Sequence, residues 1–434
     1  MANNLSKLTY VKAITRSTMG NMLEWFDFAV YGYMALYIGP LFFPSENVVI
    51  SNLSAFSVFA VGYIARPFGA VVLGRIGDRI GRRYMLILSI SLIGFSSLAI
   101  GLLPTHQTVG ILAPILLILC RLLQGFSVGG EYTGAMTYAS ELANRKKRGF
   151  VNSFPIAGCT AGILMASGTV WLINHLFGDK GIAEWGWRIP FYLGAVVALV
   201  GYWISRNIPE TAEIKAENSS EDYNKLSLGQ SLVKYWKQIF SIIFISTGAN
   251  IVFYMISVFA LGIASKQIAQ IEAEEIITYA LAISVPSTIL GGWLSDIFGR
   301  RKVSLILNII IGILIIPVYY MCFELVTWPI SIDISPKLIF ILGQVLLTIP
   351  VGMVIGVQGT MIAEILPKNV RCTIFSIAYS LAMGIFAGSS LMVAEYMYNF
   401  LDWHYGPALY SLFWTVMAIV CIFKLPDTTG KEIN

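Results

Sequence analysis

The sequence predicts an all-α membrane protein with twelve transmembrane helices arranged as two six-helix pseudo-repeats. Three observations carry that prediction. Apolar stretches long enough to cross a bilayer recur along the whole chain, basic residues concentrate on one side of those stretches, and the two halves share collinear landmarks.

Of the 434 residues, 56% are hydrophobic and 12% charged, against about 25% charged in an ordinary soluble domain. A helix needs about 20 apolar residues to cross a hydrocarbon core roughly 30 Å thick. Twelve stretches of that kind occur, at 17–42, 53–74, 84–104, 110–136, 150–177, 187–206, 238–264, 275–295, 303–325, 336–361, 371–399 and 403–424. They are continuous rather than alternating, which excludes the strands of an outer-membrane barrel.

The net charge of +5 is less informative than where the charge sits. Of the 29 Lys and Arg, only Lys180, Arg188, Lys266 and Lys337 fall on the outer side when the amino terminus is placed inside, and Arg66 and Arg121 fall within spans. By the positive-inside rule both termini are cytoplasmic. This distribution gives the basic residues to the membrane surface, so no nucleic-acid partner is expected. The first stretch follows Lys7, Lys12 and Arg16, but it is longer than a signal peptide and carries carboxylates, so it reads as a retained helix. Cys120, Cys159, Cys322, Cys372 and Cys421 lie in apolar segments without paired spacing, and His106, His175 and His404 sit in outer connections. Neither set suggests a metal or a disulfide framework. The spans contain no Ser/His pair and no phosphate loop, so no enzymatic activity and no cofactor are expected.

Comparing the halves reveals the repeat. Gly74-Arg-Ile-Gly-Asp78-Arg79-Ile-Gly81-Arg82-Arg83 matches Gly292-Trp-Leu-Ser-Asp296-Ile-Phe-Gly299-Arg300-Arg301, an offset of 218. Glu141 and Arg148 match Glu364 and Arg371 at 223, and Pro209-Glu-Thr matches Pro426-Asp-Thr at 217. Three landmarks in one order at nearly one offset give an amino-terminal six-helix bundle over 1–206, a polar cytoplasmic linker over 207–237 and a carboxyl-terminal bundle over 238–434. A short surface helix is predicted near 226–236.

The loop from Gly74 to Arg83 resembles the signature loop of the major facilitator superfamily, and its second copy lacks the basic residue after the Asp, where Ile297 stands. Gly20-Asn-Met-Leu-Glu24-Trp-Phe-Asp27-Phe-Ala-Val-Tyr31, Ala65-Arg66-Pro-Phe-Gly69 and Arg121-Leu-Leu-Gln124-Gly-Phe-Ser-Val-Gly-Gly-Glu131-Tyr132 are similar to its metabolite:proton symporters. The stretches Gly125–Ala135 and Trp185–Pro190 are most like the members that carry proline and betaine. The resemblance runs end to end. It implies secondary active transport by alternating access, with protons as the coupling ion, across a bacterial inner membrane. The implied cargo is a small zwitterionic osmolyte or amino acid, with organic acids such as α-ketoglutarate, citrate or shikimate as the alternative. Lipid is then the surrounding partner, and a monomer suffices. Osmosensing members carry a long carboxyl-terminal coiled coil, whereas this chain stops about ten residues after the twelfth stretch, so the resemblance does not imply osmotic regulation.

A charge at a helix centre costs about 2.5–3.5 kcal/mol on insertion scales, so each one needs a reason. Five lie in the amino-terminal half: Glu24, Asp27, Arg66, Arg121 and Glu131. Counting from Arg16 at about 1.5 Å per residue puts Glu24 roughly 12 Å and Asp27 roughly 16 Å deep. Their spacing places them on one face, with Tyr31 a turn beyond. Arg66 and Arg121 reach comparable depths, toward a central cavity. Carboxylates and guanidinium groups together suit proton loading and release, with Asp27 or Glu131 as the carrier and Arg121 as a bidentate anchor for a cargo carboxylate. The alternative is a set of fixed salt bridges that holds helices together. Trp25, Phe26, Phe28, Tyr31, Tyr132 and Tyr254 offer rings for a quaternary ammonium, or for plain packing. Asn250 and Tyr254, one turn apart, are the contribution expected from the carboxyl-terminal half. The loop residues Gly74, Asp78, Arg79, Gly81, Arg82 and Arg83 and their counterparts Asp296, Gly299, Arg300 and Arg301 are expected to clamp the halves on the cytoplasmic side, or else to anchor to headgroups. Gly125, Gly129, Gly130, Gly134, Gly158 and Gly162 read as close-packing positions.

Overall fold

The computed structural model describes residues 7–79, 82–128, 131–206, 228–265, 268–323, 335–367 and 370–431. Almost all of the described chain is helical. The amino-terminal spans are α1 (Lys7–Phe42), α2 (Val48–Ile64, resuming after Ala65 as Arg66–Arg79), α3 (Arg82–Leu102), α4 (Leu112–Ser127 with Glu131–Leu142), α5 (Arg148–Glu184) and α6 (Ile189–Arg206). The carboxyl-terminal spans are α7 (Trp236–Tyr254, a π-helical Met255–Phe259, then Ala260–Ala264), α8 (Gln270–Phe298), α9 (Arg300–Phe323) and α10 (Pro336–Ile365). They are followed by α11 (Arg371–Leu381, the π-helical Ala382–Ala387, Ser390–Glu395, then π-helical Tyr396–Phe400) and α12 (Gly406–Lys424). Among the described residues, nine helices are long and apolar enough to cross a membrane, and Ile87–Leu102 is a shorter apolar helix.

Apolarity places the spans but not their ends. Helix α1 begins at Lys7 rather than near residue 17, because a helix continues into the polar margin where hydropathy no longer marks it. Helix α5 runs past the predicted 177 to Glu184, with a break at Gly178, whose φ of 67° lies where glycine alone is unstrained. Most of the predicted linker, 207–227, lies outside the described residues. The helix Leu228–Lys234 falls within the predicted 226–236 and leads directly into α7.

Lipid supplies no hydrophobic drive between helices, so close backbone approach decides which pairs form. Helix α1 packs on α5, α2 on α4, α3 on α6, α8 on α10, and α12 on α7 and α9. Gly125 of α4 lies directly on the Gly62 carbonyl of α2, and Gly158 and Gly162 of α5 lie on the Thr18 and Met22 carbonyls of α1. Gly291 of α8 and Gly356 of α10 repeat the arrangement. Gly134 departs from its predicted packing role, since a side-chain carbon there would meet nothing within 4 Å. Gly129 and Gly130 lie outside the described residues. Helix α5 also packs on α8, and α2 and α4 pack on α11. These contacts join the amino-terminal spans to the carboxyl-terminal ones and frame the central site.

Candidate functional site

Asp27 projects from the middle of α1 and is 3% exposed. Ser97 Oγ of α3 donates to Oδ1, and Gln124 Nε2 of α4 donates to Oδ2 at 2.8 Å and approaches Ser97 Oγ at 2.9 Å. The other end of the same amide, Gln124 Oε1, accepts from Arg121 Nη1 at 2.7 Å. Arg121 and Gln124 are three apart on α4 and therefore share a face. The acid and the guanidinium thus meet through an amide. Two glycines make room for them: the missing side chain of Gly194 in α6 admits Asp27 Oδ1, and a Cβ on Gly62 would come within 3.1 Å of Arg121 Nη2.

Of the six rings expected to form a cage, Trp25, Phe28 and Tyr31 instead face the chain's own cations, together with Phe59 and Tyr63. The Arg121 guanidinium centre lies 4.3 Å from the Tyr31 ring, 4.4 Å from Phe28 and 5.6 Å from Phe59. That of Arg66 lies 4.3 Å from Tyr63, 4.4 Å from Phe28 and 5.4 Å from Trp25. Such contacts stabilise a desolvated cation by about 2 kcal/mol. Among the described residues, Nε and Nη2 of both guanidinium groups have no hydrogen-bond partner. Glu24 is buried one turn before Phe28.

A narrow cavity of about 10 Å³ lies between α1, α2, α5 and α7, lined by Trp25, Phe28, Phe59, Tyr63, Tyr254 and Ser257 among others. Arg66 and Arg121 are not part of its lining. They sit behind Phe28, Phe59 and Tyr63, which present one side to the cavity and hold a guanidinium with another. The Tyr63 and Tyr254 hydroxyls hydrogen-bond across it, linking α2 to α7. The structure therefore brings Asp27, Tyr31, Arg66 and Arg121 together, with Glu24 on the same helix and Tyr254 opposite. Tyr132 instead stacks on Tyr379 of α11 at 4.6 Å and meets only the edge of Trp25. Asn250 bonds back to the Ser246 carbonyl of its own helix and does not line the cavity. Glu131 begins the second part of α4, and its side chain lies outside the described residues.

At the end of the bundle carrying the duplicated loops, the two halves lock together. The helices place Gly74, Asp78 and Arg79 in α2 and Arg82 and Arg83 in α3. Gly81 and the side chains of that first copy lie outside the described residues. In the second copy Asp296 accepts from the Gly149 and Phe150 amides at 2.9 and 2.7 Å, a carboxylate seated on the amino end of α5. Arg300 pairs with Asp296 at 2.7 Å, and Gly299 turns the chain at a φ of 98°. Arg301 donates to the Phe423 carbonyl and lies over its ring. The repeated Glu/Arg landmarks pair crosswise: Arg148 with Glu364 at 2.7 Å, and Arg371 with Glu141 at 2.9 Å. Thr428 also donates to Glu364, at 2.6 Å. Beyond α12, burial raises the Asp427 carboxyl, but the Thr429 hydrogen bonds and the charges of Arg300 and Lys431 outweigh it and hold the pKa below the usual range.

The opposite end is closed as well, by residues the sequence did not single out. Glu274 of α8, 3% exposed, receives Asn174 Nδ2 of α5 at 3.1 Å, Tyr37 Oη of α1 at 3.4 Å and Gln270 Nε2 at 3.1 Å. Glu274 lies one residue outside the predicted eighth span, in a part of α8 that hydropathy does not mark. Gln124, Ser97 and Tyr63 escaped because an uncharged polar residue in an apolar stretch is unremarkable until its partners are known.

Residues 12–240 match the model for the sugar (and other) transporters, and residues 240–434 match that for the major facilitator superfamily. The proline/betaine transporter of Salmonella typhimurium is 30% identical over 98% of this chain and 85% of its own length. The glycine betaine/proline/ectoine/pipecolic acid transporter OusA of Dickeya dadantii is 31% identical over 98% and 84%. Among solved structures, the proton:xylose symporter XylE bound to 6-bromo-6-deoxy-D-glucose superposes with a TM-score of 0.79 at 17% identity, covering 99% of this chain and 98% of that one. A partially occluded inward-open form of XylE from E. coli gives 0.74. The helical architecture, the duplicated loop and its crosswise charge pairs, and these matches make the chain a multi-pass membrane transporter of the major facilitator superfamily.

Proposed function

We propose that this protein carries a small zwitterionic osmolyte or amino acid of the proline/betaine type inward together with protons, by alternating access between an amino-terminal bundle (1–206) and a carboxyl-terminal bundle (238–434). The observation that carries the reading is the buried Asp27–Gln124–Arg121 set beside a cavity closed at both ends. A carboxylate that cycles between protonated and charged forms suits the coupling ion, and a guanidinium with two unpartnered nitrogens suits a cargo carboxylate. Names of the relatives support the choice of cargo. In this reading the protein lies in a bacterial inner membrane with both termini cytoplasmic, works as a monomer and needs no cofactor. The duplicated-loop end is the cytoplasmic gate and the Glu274 cluster the outer one, so the structure corresponds to an occluded state.

An organic-acid cargo is the second reading, favoured by one observation. The ring faces suited to a quaternary ammonium are occupied by Arg66 and Arg121, whose four unpartnered nitrogens suit anions. Uptake into proteoliposomes decides between them. With an inward proton gradient, accumulation of labelled proline or glycine betaine that a protonophore collapses supports the first reading. Competition by α-ketoglutarate, citrate or shikimate but not by proline or betaine supports the second, and accumulation indifferent to the protonophore removes proton coupling.

A further inference from the structure

Gln124 is the point at which the acid and the cargo anchor are joined. Its carbonyl oxygen takes a proton-bearing nitrogen of Arg121 at 2.7 Å, and its amide nitrogen gives to Asp27 at 2.8 Å and to Ser97 at 2.9 Å. These two ends are chemically distinct, since only the oxygen can accept and only the nitrogen can donate. The guanidinium therefore fixes which end of the amide faces Asp27. The whole set is buried, with Gln124 1% exposed and Arg121 0%, so water does not compete for these bonds. Arg121 meanwhile keeps Nε and Nη2 without partners, and the missing side chain of Gly62 lets the guanidinium pack close against α2.

We propose that Gln124 is a coupling relay: a positioning residue that links occupancy of Arg121 by a cargo carboxylate to the protonation of Asp27. The proposal rests on the symport reading above. An anion that engages Arg121 draws Nη1 off the Gln124 oxygen, and the amide is then no longer held with its nitrogen on Asp27. Having lost that donor, the carboxylate takes a proton on one oxygen from the aqueous side, and Ser97 accepts or donates as the new group requires. The reverse movement expels the proton once cargo leaves. A leucine in place of Gln124 severs both ends of the link. A glutamate preserves the bond to Arg121 but cannot donate to Asp27 while ionised, so it severs one end only.

The test uses the full chain in proteoliposomes and two readouts: proton-driven accumulation of labelled proline, and proline counterflow, which needs no net proton movement. If the competition panel selects the acid class, labelled α-ketoglutarate replaces proline. Gln124→Leu and Gln124→Glu should each lower accumulation by roughly tenfold, as expected of a lost coupling between two sites, while counterflow stays within about twofold of the parent. Ser97→Ala removes a hydrogen bond to the same carboxylate without touching Arg121 and should lower accumulation less than either Gln124 variant. Either Gln124 variant accumulating like the parent overturns the relay, as does an equal fall of accumulation and counterflow in a variant that elutes as a folded monomer. Ser97→Ala behaving like the Gln124 variants also overturns it, because Asp27 then needs support rather than a link. A parent protein whose accumulation ignores a protonophore defeats the symport reading itself, a result distinct from all of these.

Discussion

Side chains at the centre of the protein are buried in a way that separates roles. Asp27 has two neutral donors and Arg121 has an amide and three rings, so neither depends on the other for its only bond. Asp27→Asn should therefore keep proline counterflow and lose protonophore-sensitive accumulation, which the two flux measurements separate. Glu131→Gln provides the parallel test of the second acid, with the same pair of fluxes. Arg121→Lys keeps the charge but loses the planar fork that spreads over Phe28 and Tyr31, and should raise the KM for uptake by about tenfold or more. Asp27, Arg66 and Arg121 were legible in the sequence because an ionisable residue deep in an apolar run is costly and rare. Gln124, Ser97 and Tyr63 were not, since their importance comes from a neighbour on another helix. The aromatic residues were legible as rings but not as partners of Arg66 and Arg121, because composition does not say which cation a ring faces.

Helices meet here through glycine, and their positions are set by backbone contact. At Gly125 any side chain would strike the Gly62 carbonyl, and at Gly162 the Met22 carbonyl. Gly125→Leu should destabilise the protein by about 1–3 kcal/mol through forced separation of α2 and α4, seen as a lower Tm in detergent, whereas Gly134→Ala, with open space around it, should change Tm little. Spans were readable from hydropathy, and most of the predicted ranges fall within the observed helices. Their ends, the break at Gly178 and the π-helical stretches of α7 and α11 were not, since these depend on backbone hydrogen bonding that side-chain polarity does not report. Outside the spans, Asp427 offers a pH-dependent element. Its folded pKa is lowered, so its contribution to stability is complete above the ordinary carboxylate pKa and is lost as pH falls through the lowered value. Asp427→Asn should flatten that acid limb of a Tm-against-pH curve.

Across the whole molecule, both ends of the bundle are shut at once, by ion pairs at one and by neutral donors around a carboxylate at the other. Replacing Arg148 with Ala leaves Glu364 short of its closest cation, a loss that costs about 3–5 kcal/mol when the survivor is buried, although Arg300 and Thr428 remain nearby. Opening at that end should become measurable as faster alkylation of a cysteine placed at the buried Met136, and the exchange Arg148→Glu with Glu364→Arg should slow it again. Glu274→Gln should do the same at the opposite end for a cysteine placed at Ser167, without altering the first. The repeat was readable from three landmarks in register, and it identified Glu141, Arg148, Glu364 and Arg371 as equivalent. That each Arg reaches the Glu of the other half emerges only when the two copies face each other.

The crosswise pairs have a consequence for how the protein responds to its surroundings. Arg148 and Glu364 are 4% and 2% exposed at their side chains, and only Glu141, at 39%, reaches solvent appreciably. Dissolved ions screen exposed charges over about 8 Å at physiological strength but scarcely reach a buried pair. The lock should accordingly hold across dilute and concentrated media alike, so that a change of salinity alone does not release it.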